Sequence, residues 1–396
     1  MKKIIPFIAK TLGLVLYFVS HLFPRNKKRW VFGEPHGFNN NSKYLYIDIV
    51  ESHPEIDAIW IGDKATVAML QAKGLKAYTR TSIKGVFCCM TAKVYVVSWT
   101  TGDINFYLSG GAVVLNLWHG TPLKKCLWLE NDNALPDSAN FISHAIHCIC
   151  APVIHFGNIF VNSPSHFYTK IYMDMFRVKR EQVIEDIYPR DAFMMKKKDD
   201  IISFLETYGY HEDLTLIKNL LNYNKTILYA PTFRDNGKDF IASSGIDFVS
   251  LNTRLTENNY LLIIKLHPAT TYDGAKFGKL KNILFLSNKY DLYPLMPFTD
   301  MLISDYSSIM FDYLLLKKKV VAFTFDYEEY IKSCRDLLFD LKEGLQSIPM
   351  VNSTDELIDF VFSNIEGESK VDSDQSYDRY WKPSDNLIER LFAISQ

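Results

Sequence analysis

From residue 30 onward the chain alternates short apolar runs with longer mixed stretches. "RWVFGE", "AIWIGD", "VYVVSW" and "AVVLNLWHG" have the unbroken apolar character of buried strands, and "SKYLYIDIVESH" and "KATVAMLQAKG" between them carry helical patterns. Such alternation builds βαβ units around a parallel sheet. "NIFVNSPSHFYTKIYMDMF" adds another strand and helix, ending near "EDIYPRD". Residues 192–222 are charged and helical in pattern, and read as a connector. Alternation then resumes with "KTILYAPTF", "YLLIIKLHP", "NILFLS", "MLISDYSS" and "KVVAFTF", each run stopping at polar, proline or aspartate residues. The expected fold is α/β, with two successive doubly wound, Rossmann-like halves over 28–191 and 223–365. Residues 366–396 are expected to make a tail and a closing helix.

The N-terminus breaks this rhythm. "IIPFIAKTLGLVLYFVSHLF", residues 4–23, is about as long as a membrane span, which takes roughly 20 residues. Lys3, Lys10, Tyr17 and His21 recur on one narrow helical stripe, and apolar residues cover the rest. That pattern favours an amphipathic helix lying in a membrane interface; a true span and a buried core helix are the alternatives. The following "RNKKRW" carries four positive charges, suited to anionic lipid on the cytoplasmic side. No small-residue cleavage site follows, which argues against a signal peptide. Residues 1–27 are therefore assigned to association with the cytoplasmic face of a membrane as a peripheral protein.

Composition narrows the function. With 396 residues, 48% of them hydrophobic, the chain can bury the cores of two domains. A net charge of -1 excludes a polycation built to coat nucleic acid. The six cysteines, among them Cys88 with Cys89 and Cys148 with Cys150, fit neither a zinc knuckle nor a disulfide framework, and read as reduced thiols.

The polar motifs fall where parallel sheets bind ligands, at the carboxyl ends of strands, whose loops lead into helices with free N–H groups. His119 follows the run 113–118, Arg234 and Asp235 follow 226–230, and His267 with Pro268 follows 261–266. "SDYSS" follows 301–303 and opens the apolar helix "IMFDYLLL". With Ser304 or Asp305 as a cap and Ser307 and Ser308 in the first turn, it would form a phosphate cradle without glycines. Each motif alone fits an ordinary cap or a hydrogen-bonded packing histidine at least as well. Together they are what a cleft for an anionic donor requires.

"LNLWHGTPLKK", "SPS", "PRD", "ILYAPTFRD", "KLHP", "DMLISDYSSIMFDYLLLKKKVVAFTFDYEEY" and "CRDLLFD" together resemble the CDP-glycerol glycerophosphotransferase family, the teichoic acid primases and polymerases, over roughly residues 28–365. The chain departs from that pattern in lacking a glycine shortly before "PR" and a proline in "LKKK" at 316–319. The resemblance implies a GT-B fold, two Rossmann-like domains facing a cleft, at the inner face of the membrane. It implies transfer of glycerol phosphate from CDP-glycerol, with release of CMP. It also places Arg190 and Asp191 in the lining.

An acceptor hydroxyl attacks phosphorus better if a base takes its proton, and histidine titrates in the right range. His119 is the candidate base, Gly120 and Thr121 allow close approach, and Lys124 and Lys125 are available for acceptor phosphates, or are a solvated pair. His267, Arg234, Asp235, Ser304, Asp305, Ser307 and Ser308 are expected to hold the diphosphate and the departing CMP. Phosphoryl transfer depends mainly on positioning and electrostatics, so no cofactor is required. A divalent cation has two candidate carboxylate runs, "DND" at 131–133 and "DSD" at 372–374. The chain's length leaves no room for an extra acceptor-tracking domain, which suggests a primase adding one unit to an undecaprenyl-diphosphate-linked disaccharide. A short glycerol or ribitol phosphate polymerase for teichoic acid or capsule, and a GT-B glycosyltransferase using a UDP-sugar, are the alternatives.

Overall fold

In this computed structural model the described residues are 4–130, 141–209, 211–234, 244–267, 270, 280–287, 290–333, 336–339, 348–367 and 380–396. The first run of strands is β1 (Asn26–Phe32), β2 (Asp57–Gly62), β3 (Ala77–Thr79), β4 (Ala92–Val97), β5 (Val113–Asn116), β6 (Asn158–Ser163) and β7 (Val183–Glu185). They form one 7-stranded sheet in the order β3-β2-β1-β4-β5-β6-β7. Every pairing in it is parallel, and the order turns back between β1 and β4. Helices Asn40–Ser52, Lys64–Ala72 and Ile83–Thr91 make the first crossovers, and the last two start where Asp63 and Ser82 cap the Thr66 and Gly85 N–H groups. Val31, Ile59, Ile61, Tyr95 and Val114 share one buried cluster. Both faces of these strands are covered, so their apolar runs do not alternate.

The second run is β8 (Lys225–Tyr229), β9 (Tyr260–Ile264), β10 (Ile283–Phe285), β11 (Met301–Ser304), β12 (Lys319–Phe323) and β13 (Met350–Val351). It makes a 6-stranded sheet ordered β10-β9-β8-β11-β12-β13, again parallel throughout. Its core gathers Ile227, Leu262, Ile264, Met301, Val321 and Phe323.

The chain divides into two compact units. The first takes the described residues of 1–119, 126–192 and 379–396; the second takes those of 120–125 and 193–378. The tail thus belongs to the first unit. Trp381 is buried, the Ser384 hydroxyl donates to Glu185 at 2.6 Å, and the Leu387 N–H donates to Asp186 at 2.7 Å at the start of helix Leu387–Ser395.

Helix Ile4–Ser20 packs on the first unit through the very stripe that marks it as amphipathic. Tyr17 is 4% exposed and stacks on Phe106 with centroids 4.7 Å apart, and Lys10 Nζ donates to the Cys150 carbonyl at 2.6 Å. The Gly110 N–H donates to Ser20 Oγ at 2.8 Å. Ile8, Leu12, Val15, Leu16, Phe18, Val19 and Leu22 are exposed instead. Two of the four basic residues that follow are also committed inward. Arg25 donates to the carbonyls of Cys89 and Leu108 at 2.8 and 2.9 Å, and Arg29 pairs with Asp57 at 2.9 Å. Lys27 and Lys28 remain exposed. Among the described residues no helix is long and apolar enough to cross a membrane.

Tyr17→Ala should therefore destabilise the first unit by about 3 kcal/mol or more, as loss of a buried aromatic ring does, while Leu12→Ala should stay within about 0.5 kcal/mol of wild type. Urea unfolding of the two variants measures the difference; equal midpoints would show that this helix is not part of the fold.

Candidate active site

In the first unit three distant segments converge on the carboxyl end of β5. Asn39 accepts from the Asn40 N–H to open helix Asn40–Ser52 just beyond β1. The fully buried Asn41 donates from Nδ2 to the Trp118 carbonyl at 2.9 Å and accepts the Arg190 N–H at 3.2 Å. Arg190, in helix Pro189–Met194, donates from Nη1 to Asn40 Oδ1 and to the His119 carbonyl, each at 2.9 Å. Its Nε lies 3.5 Å from Asp191, which is fully buried. The turn is sharp: Trp118 sits at φ +54° and Gly120 at φ +142°, a conformation that only glycine adopts without strain.

The His119 ring stacks on Trp99 at 3.8 Å with 10° between planes, and lies 4.1 Å from Trp118. Stacking uses the ring faces, so it fixes the plane of the imidazole without using its nitrogens. Trp99 in turn stands on a loop wrapped around Asp103, whose carboxylate accepts the N–H groups of Ser98, Trp99 and Thr100 at 3.1, 2.8 and 3.1 Å. Burial pushes the Asp103 carboxyl up to about 6 against those bonds. Beside it, at the end of β1, Glu34 is 2% exposed. Burial first, and the Asp103 charge second, push Glu34 up to about 8, with Ser98, the His36 backbone and Trp99 pulling the other way.

In the second unit the predicted donor residues meet in one network. Arg234, 3% exposed, grips Asp326 through Nε and Nη2 at 2.7 and 3.0 Å and reaches Asp305 at 2.9 Å. Tyr306 and Tyr330 stack 3.8 Å apart, and the guanidinium sits 5.0 and 5.1 Å from their rings. Asp305 accepts the N–H groups of Thr232 and Tyr306 at 2.9 and 2.6 Å, and Ser304 Oγ donates to the Ala230 carbonyl at 2.6 Å. Sequence reasoning gave Arg234 to the diphosphate and Ser304 or Asp305 to the helix cap. The structure uses all three to lock the loop after β11 onto the loop after β8, and the cap position of helix Ile309–Leu314 belongs to Ser308. Ser307 and Ser308 are half-buried, and His267 is exposed with its ring 5.6 Å from Phe233. Asp235 and Pro268 lie outside the described residues.

Gly120–Lys125 also belong to the second unit. Thr121 is buried, Lys124 bridges antiparallel to Leu337, and the Lys125 N–H donates to the Asp336 carbonyl at 2.9 Å. Lys124 Nζ lies 5.1 Å from the centre of the Tyr330 ring, which places this lysine beside the predicted donor set; Lys125 Nζ pairs with Asp336 at 3.1 Å. Among the described residues no group of three or more His, Cys, Asp or Glu is arranged to hold a metal ion. The runs 131–133 and 372–374 lie outside them.

Residues 15–387 match the family model described as CDP-Glycerol:Poly(glycerophosphate) glycerophosphotransferase. The chain belongs to this family. It is therefore a transferase. Among its relatives is a teichoic acid poly(glycerol phosphate) polymerase of Bacillus subtilis, 27% identical over 87% of this chain but only 45% of that protein. The chain thus spans less than half the length of that relative. A protein of the same name from Bacillus spizizenii is 25% identical over 92% of this chain and 91% of its own length. A teichoic acid glycerol-phosphate transferase of Staphylococcus aureus is 27% identical, with 84% and 83% covered. The wall teichoic acid polymerase TagF superposes with a TM-score of 0.70 at 22% identity, covering 98% of this chain and 96% of that one, which establishes a GT-B-like fold. A UDP-GlcNAc 2-epimerase from Neisseria meningitidis also superposes, at TM-score 0.52 and 12% identity over 89% and 96% of the two chains, so the fold alone does not choose the chemistry.

The residues that sequence reasoning missed are supports: Asn40, Asn41, Trp99, Asp103 and Asp326. The asparagine run after β1 and the tryptophan ending "VYVVSW" were the available signals. Glu34 gives a measurable consequence. The folded state holds its proton up to about pH 8, whereas an unfolded glutamate releases it near about pH 4.3. The native state then binds more protons across that window, and stability falls as pH rises through it. Glu34→Gln should therefore gain on wild type between pH 5 and pH 9 by a few kcal/mol, at about 1.4 kcal/mol per unit of pKa. Urea unfolding at both pH values would show a constant gap if Glu34 were ionised throughout.

Proposed function

We propose that the chain transfers glycerol phosphate from CDP-glycerol to a hydroxyl of a lipid-linked acceptor at the cytoplasmic face of the membrane, releasing CMP, in teichoic acid synthesis, as a primase adding one unit. The observation that carries this reading is an imidazole at the carboxyl end of β5, held by Trp99 and by the Arg190 bond to its own carbonyl, in a chain of the glycerophosphotransferase family. His119 takes the proton of the acceptor hydroxyl as it attacks phosphorus, and the phosphorus–oxygen bond to CMP breaks. His267, Ser307, Ser308 and Lys124 supply donors and charge to the diphosphate, and Gly120 and Thr121 give close backbone approach. Arg234, Asp305 and Ser304 act by positioning, as do Arg190 and Asp191. An undecaprenyl-diphosphate-linked disaccharide is the acceptor class, and support for CDP-glycerol comes from the family description together with the TagF structure soaked with CDPG.

Length does not separate primase from polymerase, because a relative matched over 91% of its own length carries the polymerase name. Similarity to that protein favours, as a second reading, a short polymerase. The product decides between them: one glycerol phosphate per acceptor, or a ladder. CMP release should be fast with CDP-glycerol and a lipid-linked disaccharide, and slow with CDP-ribitol or UDP-sugars; turnover of a UDP-sugar would overturn the assignment. His119→Asn should keep donor binding and lose at least about a hundred-fold in turnover, as removal of a general base does. A fully active asparagine variant would remove His119 from the chemistry.

Membrane association is read from exposed apolar side chains. Leu12 is 65% exposed and Leu22 82%, and the neighbouring helix Phe141–Cys150 exposes Phe141, Ile142 and Ile146. Burying such a face in the headgroup boundary, with Lys27 and Lys28 on anionic lipid, suits an interfacial protein. Leu12→Asp with Leu22→Asp should lower sedimentation with anionic vesicles at least tenfold while leaving the unfolding midpoint in place. Unaltered sedimentation would mean that another surface binds.

A further inference from the structure

The first unit holds a pocket that none of the roles above uses. It encloses about 430 Å³ of empty space, toward the lower end of the roughly 300–1,000 Å³ found for small-molecule sites. Trp99, Trp128 and Phe176 supply its aromatic rings, and Thr100, Thr101 and Asn116 its polar groups. None of its lining residues is charged. Trp99 is shared: it forms part of this wall and stacks on His119 at 3.8 Å. Phe176 meets Trp118 edge to face at 5.3 Å, and the Arg177 guanidinium covers the Trp128 ring at 3.6 Å.

We propose that this pocket seats the terminal sugar ring of the acceptor, the ring whose hydroxyl is the nucleophile. The inference rests on the reading of the chain as a glycerophosphotransferase with His119 as base, and it adds what the base acts on. Position comes first. Whatever fills the pocket is one indole away from the imidazole, so it belongs to the part of the acceptor that carries the reacting hydroxyl. Charge comes second. A phosphate or diphosphate would lose its hydration with no cation in the lining to replace it, at a cost of several kcal/mol at least. That excludes the nucleotide diphosphate and the growing end of a glycerol phosphate polymer. Shape and chemistry come third. A pyranose presents a face of C–H groups to aromatic rings and a rim of hydroxyls to threonine and asparagine side chains, which is the distribution found here. The proposal favours a sugar-ended acceptor, and with it single-unit addition.

The test uses the full chain with CDP-glycerol and two soluble acceptors, a disaccharide bearing a short alkyl aglycone and an alkyl-linked glycerol phosphate oligomer. Trp128→Ala and Phe176→Ala should raise the KM for the disaccharide about tenfold or more while the KM for CDP-glycerol stays within twofold, the signature of lost acceptor binding. Thr101→Val, a smaller change at a buried position, should raise it about threefold or more and keeps the test open if the alanine variants do not fold. Titration of the wild type with octyl N-acetylglucosaminide should give a saturable change in tryptophan fluorescence that glycerol 3-phosphate does not give. An active wild type with an unaltered disaccharide KM in all three variants overturns the pocket assignment alone. So does a wild type that accepts the oligomer and not the disaccharide. A wild type that releases no CMP from CDP-glycerol with either acceptor overturns the parent reading instead.

Discussion

Arg190 donates through one nitrogen to the His119 carbonyl and to the Asn40 side chain, and the polar edge of the first unit is arranged around that bridge. It joins the loop after β1, the loop after β5 and the turn after β7, three places the sheet order brings to one edge. Asn41 closes the same circuit from the other side by holding the Trp118 carbonyl and the Arg190 N–H. A backbone carbonyl held by a charged donor is a stronger anchor than one held by a neutral amide, at about 1.5–3 kcal/mol net against about 1. The imidazole is therefore fixed from its backbone as well as from its faces.

The second unit solves the equivalent problem with a buried ion triad. Arg234 between Asp305 and Asp326 brings the loops after β8, β11 and β12 together. Such a group contributes little net stability when complete, yet removing one member strands uncompensated charge at a cost of about 3–5 kcal/mol. Loss of activity on removing Arg234 consequently reports on the loop's architecture before it reports on any contact with a phosphate. Half-buried Ser307 and Ser308 and exposed His267 are better placed to meet a ligand directly.

Both sheets were legible because a strand covered on two faces must be apolar throughout, and each of the long runs quoted from the sequence became a strand. The short strands β3, β7 and β13 were not, since two or three residues carry no periodicity and are held by their neighbours. Every motif at a strand's end was legible too, but its role was not. An arginine beside a glycine-free helix start reads as a phosphate ligand until Asp326, 92 residues further on, is found against it. Charge pattern says nothing of the partner when the partner is far along the chain. The amphipathic helix shows the same limit in reverse: a stripe of lysine, tyrosine and histidine reveals a two-sided helix, and whether protein or lipid takes the polar side depends on Phe106, Gly110 and the Cys150 carbonyl.

The return of helix Leu387–Ser395 to β7 sets an order of assembly. The second unit comes almost entirely from one unbroken stretch of chain, whereas the first is completed only by the segment that leaves the ribosome last. Domains emerging N-terminal first generally fold as they appear. Here the earlier sheet must wait, with Trp30 uncovered until Phe392 arrives 5.1 Å away and Asp186 unmatched until the Leu387 N–H reaches it. During that interval the part of the molecule made first is its least finished part, and the apolar surface of helix Ile4–Ser20 is already outside the ribosome. A nascent chain of this design is drawn to a lipid surface before it has a complete sheet to bring there.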